Sequence, residues 1–134
     1  MIQAEWCEQI FEHGKRWEIR GEHCNIRERF AIAMSGTCML VGEATLVDCF
    51  VVGKYIEETK SLVPYSQEET DSRLLLGRPE HFGRHRIPDL STVTYPVIYA
   101  WVLAEPTRYA VPRPYNHPRG AVKWVDLTEA SVAA

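Results

Sequence analysis

No Cys-x-x-Cys pair occurs in this chain of 134 residues, although it carries Cys7, Cys24, Cys38 and Cys49. Their spacings of 17, 14 and 11 residues argue against paired zinc ligands and against a dithiol redox motif. Reduced, structural thiols are therefore expected, as inside a cell. No apolar run approaches the roughly 20 residues that a bilayer span needs. The opening Met1-Ile2-Gln3-Ala4-Glu5-Trp6 lacks the charged start and apolar stretch of a secretion signal, so a cytoplasmic protein is expected, away from membranes. Excess positive charge is missing too. A net charge of −3 and a pI near 5.9 exclude a protein that coats nucleic acid by bulk attraction. There is no internal repeat, no low-complexity segment and no βαβ rhythm. What remains is an ordinary globular composition, 46% apolar, long enough for one core and read as a single domain over 1–134.

The pattern along the chain predicts a helix over 3–13. Trp6, Cys7, Ile10 and Phe11 lie on one face, Glu5, Glu8 and Glu12 lie away from it, and Gly14 stops it. Residues 15–20 read as the first strand, and 21–29 as a polar connection. Phe30–Met34 is a short apolar strand, and Cys38–Val52 a long one in which Gly42 marks a bulge or bend. Ser66 with Glu69 forms a capping-box pattern for a helix running to about Leu76. Residues 77–96, with Pro79, Gly83, Pro88 and Pro96, read as an ordered, irregular loop of the kind that carries function. Val97–Leu103 is a buried strand, Tyr109–Val111 continues or pairs with it, and 121–127 is the last strand. The sum is α+β, with about six mostly antiparallel strands in a barrel-like sheet and flanking helices.

Charge is distributed unevenly. Glu57, Glu58, Glu68, Glu69 and Asp71 make an acidic middle, and Arg78, Arg84 and Arg86 follow it. Arg108, Arg113 and Arg119 fall in a stretch, 106–120, without any acid. Arginine outnumbers lysine 11 to 4, and arginine is the better bidentate partner for phosphate. These residues read either as solvated loop charge or as a grip on a nucleic-acid backbone.

The segment with the most chemistry is Gly14-Lys15-Arg16-Trp17-Glu18-Ile19-Arg20. In a strand, Trp17 and Ile19 share one face while Arg16, Glu18 and Arg20 share the other, a stripe open to a polar ligand. Gly-Lys-x-x-Glu-x-Arg after an N-terminal helix is similar to the signature of the ASCH family, relatives of the PUA domain that are associated with RNA. Two further blocks carry the likeness in the family's order. One is Ser35-Gly36-Thr37 with Val41-Gly42-Glu43-Ala44-Thr45-Leu46-Val47-Asp48-Cys49. The other is Tyr99-Ala100-Trp101-Val102-Leu103 with Pro114-Tyr115-Asn116-His117-Pro118-Arg119-Gly120-Ala121-Val122-Lys123-Trp124. The resemblance covers most of 10–127 and is weakest over 53–95. It implies a small PUA-like β-barrel with flanking helices. Some small ASCH proteins hydrolyse N4-acetylcytidine with a Lys, a Thr and a Glu, and others are described as ribonucleases. Lys15 matches the family's Lys, whereas Glu18 stands where the Thr would be and removes that hydroxyl.

Lys15 and Glu18 are the candidate catalytic pair: a buried lysine can act as base or nucleophile, and a carboxylate can orient it or move its proton. Residues three apart face opposite sides of a regular strand, so both can line one cleft only if Lys15 belongs to the turn. Trp17, Trp101, Tyr115 and Trp124 offer stacking surfaces, with a core role as the competing reading for Trp17 and Trp124. Asn116 and His117, held by neighbouring prolines, can meet a base edge, and Ser35 and Thr37 can direct hydroxyls to a ligand. His81 and His85 have a metal spacing only on one helix, and Gly83 between them argues against zinc. No cofactor or metal is called for.

Three functions follow from these residues. The first is a module that binds single-stranded RNA or a modified nucleoside. Trp17, Arg20, Ser35, Thr37, Tyr115, Asn116 and His117 would contact the base, and Arg16, Arg78, Arg84, Arg86, Arg113 and Arg119 would hold phosphates. Such phosphate contacts would make RNA binding salt-sensitive. The second is a hydrolase acting on RNA or on N4-acylated cytidine through Lys15 and Glu18. The third is a protein-interaction scaffold whose acidic segment 57–71 meets a basic partner.

Overall fold

The computed structural model describes residues 1–65 and 76–117. The helix expected before Leu76, Arg119, Trp124 and the expected last strand therefore lie outside the described residues, except for Leu76 itself.

The first element is helix α1 (Ala4–Glu12), which buries Cys7 and Ile10 as its spacing predicts. Strands β1 (Trp17–Arg20), β2 (Arg29–Met34), β3 (Met39–Ile56), β4 (Ser61–Val63) and β5 (Val97–Pro114) form one antiparallel sheet. Its order is β1-β5-β3-β2, with β4 on the far part of β3. The described residues thus show an α+β fold whose sheet is open between β1 and β2. Three departures from the pattern-based expectation stand out. β1 begins at Trp17, not at residue 15. The short β4, unassigned by pattern, pairs Lys54–Ile56 with Ser61–Val63 across a tight turn. Residues 77–96 are not one irregular loop but contain a 3-10 turn (Pro79–His81), helix α2 (Phe82–His85) and a second 3-10 turn (Leu90–Thr92).

β3 and β5 are long because bulges let them bend. Their register shifts between Leu40 and Gly42, and again at three points further along. Gly42 is needed at the first: a Cβ there would meet the Phe11 ring and the Thr107 carbonyl oxygen. β5 absorbs both expected strand pieces in one run. Pro106 and Pro112 are accommodated in the half of β5 that does not pair with β1, where a missing N–H removes no bond to that strand.

Side chains alternate across the sheet and fill two cores. Ile10 and Cys7 of α1 pack with Ile32, Ala44, Leu46, Trp101 and Leu103 on one face. Trp17, Ile19, Val52, Ile98 and Ala100 pack beneath Leu76, Ile87 and Val93 on the other. Residues 76–93 therefore close the second face, bringing α2 against the start of β1. All four cysteines are free thiols, buried at Cys7, Cys24 and Cys49 and exposed at Cys38. Among the described residues, no helix is long and apolar enough to cross a membrane.

Candidate functional site

The way α1 ends decides where Lys15 goes. Gly14 takes φ +77°, and the Lys15 N–H returns to the Gln9 carbonyl at 2.9 Å, a closure that needs a left-handed residue. Arg16 donates from its guanidinium to the carbonyls of Ile10 and Lys15, neutralising the negative end of the helix. Lys15 is thus in the turn, free of strand alternation, and lies on the same cavity as Glu18.

The cavity measures about 670 Å³ and is lined by Lys15, Glu18, Arg20 and Ser35, together with Trp6 and Tyr95. Lys15 is 1% exposed. Its Nζ donates to the His85 carbonyl at 2.5 Å and sits 4.7 Å from the centre of the Trp6 ring. Burial pushes its pKa down to about 8, while Glu18 pulls the other way. Glu18, 7% exposed, has its own pKa raised by burial against the opposing charges of Lys15 and Arg20. One of its oxygens lies 3.7 Å from Arg20 Nε, an ion pair too long for a hydrogen bond. The other, Oε2, is buried and has no hydrogen-bond partner among the described residues. Arg20 is anchored by donating to the Met1 carbonyl at 2.9 Å and by lying over the Trp101 ring.

The remaining expected ligand residues are elsewhere. Trp17 is buried in the second core, edge-on to Phe50 and beside His81. Thr37 shapes the β2–β3 turn, donating to the Met34 carbonyl and accepting from the Met39 N–H. Tyr115 is buried against Leu40 and shares a 2.8 Å hydrogen bond with His117 Nδ1. Neither these two nor the exposed Asn116 lines the cavity.

The expected phosphate-binding arginines have protein partners. Arg78 pairs with Glu80, and Arg84 holds the Glu80 carbonyl and His81 Nδ1. Arg86 donates to Gln9 Oε1, and Arg113 stacks on Tyr109 at 4.3 Å. Of the arginines described, Arg20 lines the cavity. His81 and His85 fall in different turns, and no group of three or more metal-ligating side chains gathers among the described residues.

Sequence pattern does not reveal the site's other walls. Trp6 is legible as a helix residue facing inward, but its contact with Lys15 depends on the turn. Asp89, Thr92, Thr94 and Tyr95 come from the 77–96 segment, whose length and prolines are the available signal. Tyr95 sits so close to Gly21 that a Cβ on that glycine would strike its ring.

Known proteins add no assignment. No family model matches the chain, and no curated protein matches it at a significant level.

Chemically, the site offers a neutral or charged amine, a carboxyl group with one open oxygen, and aromatic and hydroxyl walls. Burial disfavours charge on both groups, lowering the pKa of the Lys15 amine and raising that of the Glu18 carboxyl group.

Proposed function

We propose that this chain is an ASCH-like domain of the PUA-like group, its described sheet forming most of a small barrel. In this reading it binds a single base, as a modified nucleoside or as an unstacked residue of single-stranded RNA. The observation that carries the reading is the buried, unpartnered Glu18 Oε2 on the cavity. An unmet buried acceptor costs about 1–3 kcal/mol, which an N–H from a base edge would offset. A cavity of this size falls in the range of small-molecule sites, roughly 300–1,000 Å³. Trp6 and Tyr95 supply aromatic walls, and the engagement of the described arginines within the protein favours a nucleoside over a long strand. Free thiols at the four cysteines accord with a cytoplasmic setting.

A second reading, hydrolysis of N4-acylated cytidine, draws support from the lowered pKa of Lys15. The neutral Lys15 amine would take a proton from water as the water oxygen bonds to the acyl carbon. Protonated Glu18 would then give its proton to the leaving N4 as the C–N bond breaks. Lys15 ends charged and Glu18 ionised, and a proton passed from one to the other resets the pair. The same acid and base would serve ribonuclease chemistry. The scaffold reading gains no specific observation, and much of its acidic segment lies outside the described residues.

The test is to incubate the wild type and Lys15→Ala with N4-acetylcytidine and with a short single-stranded RNA, followed by mass analysis and a binding titration. Product from the wild type alone supports the hydrolase. Saturable binding without product supports the binding module. Neither product nor binding removes both.

A further inference from the structure

The turn after α2 is organised around one side chain. His85 is 2% exposed and its ring is held from two sides. The Ile87 N–H donates to Nδ1 at 2.9 Å. An accepting Nδ1 requires the neutral ring with its proton on Nε2. Phe82 packs edge-on against it at 5.6 Å. Arg86, the next residue, takes φ +54°, an unfavourable conformation for a side chain with a Cβ. It is held there by its N–H to the Phe82 carbonyl and its guanidinium on Gln9. Folded this tightly, the chain turns the His85 carbonyl onto Lys15 Nζ.

We propose that His85 is a positioning residue for Lys15: its imidazole, pinned between the Ile87 N–H and the Phe82 ring, fixes the carbonyl that holds the amine at the cavity wall. The proposal rests on the reading of Lys15 as the working amine of the site. Lysine has a flexible stem, so its burial must be enforced by an acceptor. With that acceptor displaced, a buried donor would be left unmet, and the amine would swing into the water of the cavity. The charged or titratable groups around the two residues are few. The ring faces the Lys15 amine and His81, and the amine faces Glu18 across the cavity. Burial, then Lys15, holds the pKa of His85 down to about 4, so the ring stays neutral and accepting at working pH.

The experiment compares wild type, His85→Leu and His85→Asn. Leucine fills the space but accepts nothing, whereas the Asn Oδ1 stands at the same place along the side chain as Nδ1. The pH midpoint of Lys15 is read by amine labelling and mass analysis, alongside thermal melting. In His85→Leu the midpoint is expected to rise by at least one unit toward 10.5, lowering Lys15 reactivity at neutral pH about tenfold. His85→Asn is expected to stay within half a unit of wild type. A midpoint that does not rise in a folded His85→Leu overturns the proposal, because a merely structural role would change melting alone. Should His85→Leu not fold, the imidazole nitrogen NMR signals of the wild type decide. A neutral ring with Nδ1 unprotonated from pH 5 to 8 supports the proposal, and a ring titrating near 6.5 overturns it. Both readouts work without ligand, so failure of nucleoside binding or turnover would leave this result intact.

Discussion

Lys15 and Glu18 carry opposite formal charges at opposite ends of a three-residue step, yet each is buried enough to resist its charge. Their mutual influence makes two predictions. Glu18→Gln removes the group that raises the Lys15 pKa, so the labelling midpoint of Lys15 should fall below about 8. A midpoint that stays at about 8 would mean the two side chains do not sense each other. Lys15→Met should abolish turnover and lower stability at pH 7, because it leaves the buried Glu18 without its opposing charge. The pH profile then separates the burial effect. Between the folded value near 8 and the free value of 10.5, the unfolded chain holds more protons than the native one. Stability of the wild type relative to Lys15→Met must therefore increase with pH across that window. Urea unfolding at pH 7.5 and 10 measures it, and a flat difference would show that the amine is not buried.

At the level of elements, the contact between α1 and β3 is tightly constrained. Gly42 allows Phe11 to lie on the strand and the Thr107 carbonyl to approach from β5. Gly42→Ala should destabilise by about 1–3 kcal/mol through overpacking. Adding Phe11→Leu should recover part of this and not all, since a side chain can retreat and a strand carbonyl cannot. Full recovery in the double variant would place the strain on Phe11 alone. The same element scale explains why α1 matters to the site. Its C-terminal turn delivers Lys15, its first turn delivers Glu5 and Trp6 to the cavity, and its apolar face fixes both against the sheet.

Taken whole, the described residues place one arginine, Arg20, on the cavity. The expected arginines outside β1 are engaged in ion pairs, hydrogen bonds or stacking on the protein surface wherever they fall among the described residues. Binding of a nucleoside should therefore change less than about twofold between 50 and 200 mM salt, where a ligand held by six phosphates would lose roughly a thousandfold. Titration calorimetry at the two salt concentrations tests this. A steep loss would restore the arginines as phosphate contacts and favour a strand.

Periodicity and punctuation were sufficient for α1, for β2, for the bulge at Gly42 and for the first part of β5, because each depends on local alternation or on a backbone only glycine permits. They were also sufficient to single out Lys15, Glu18, Arg20 and Ser35. Whether those residues met was settled by tertiary structure. Strand parity alone would have separated Lys15 from Glu18, and the left-handed turn at Gly14 brings them to one cavity by taking Lys15 out of the strand. Pattern could not tell Trp17, a core residue, from Trp6, a cavity wall, since an aromatic ring looks the same to a sequence wherever it packs. Nor could it show that the loop arginines are engaged. Charge and residue type are local properties of the chain, whereas partnership, burial and the pKa values that follow from them exist only once distant segments are brought together.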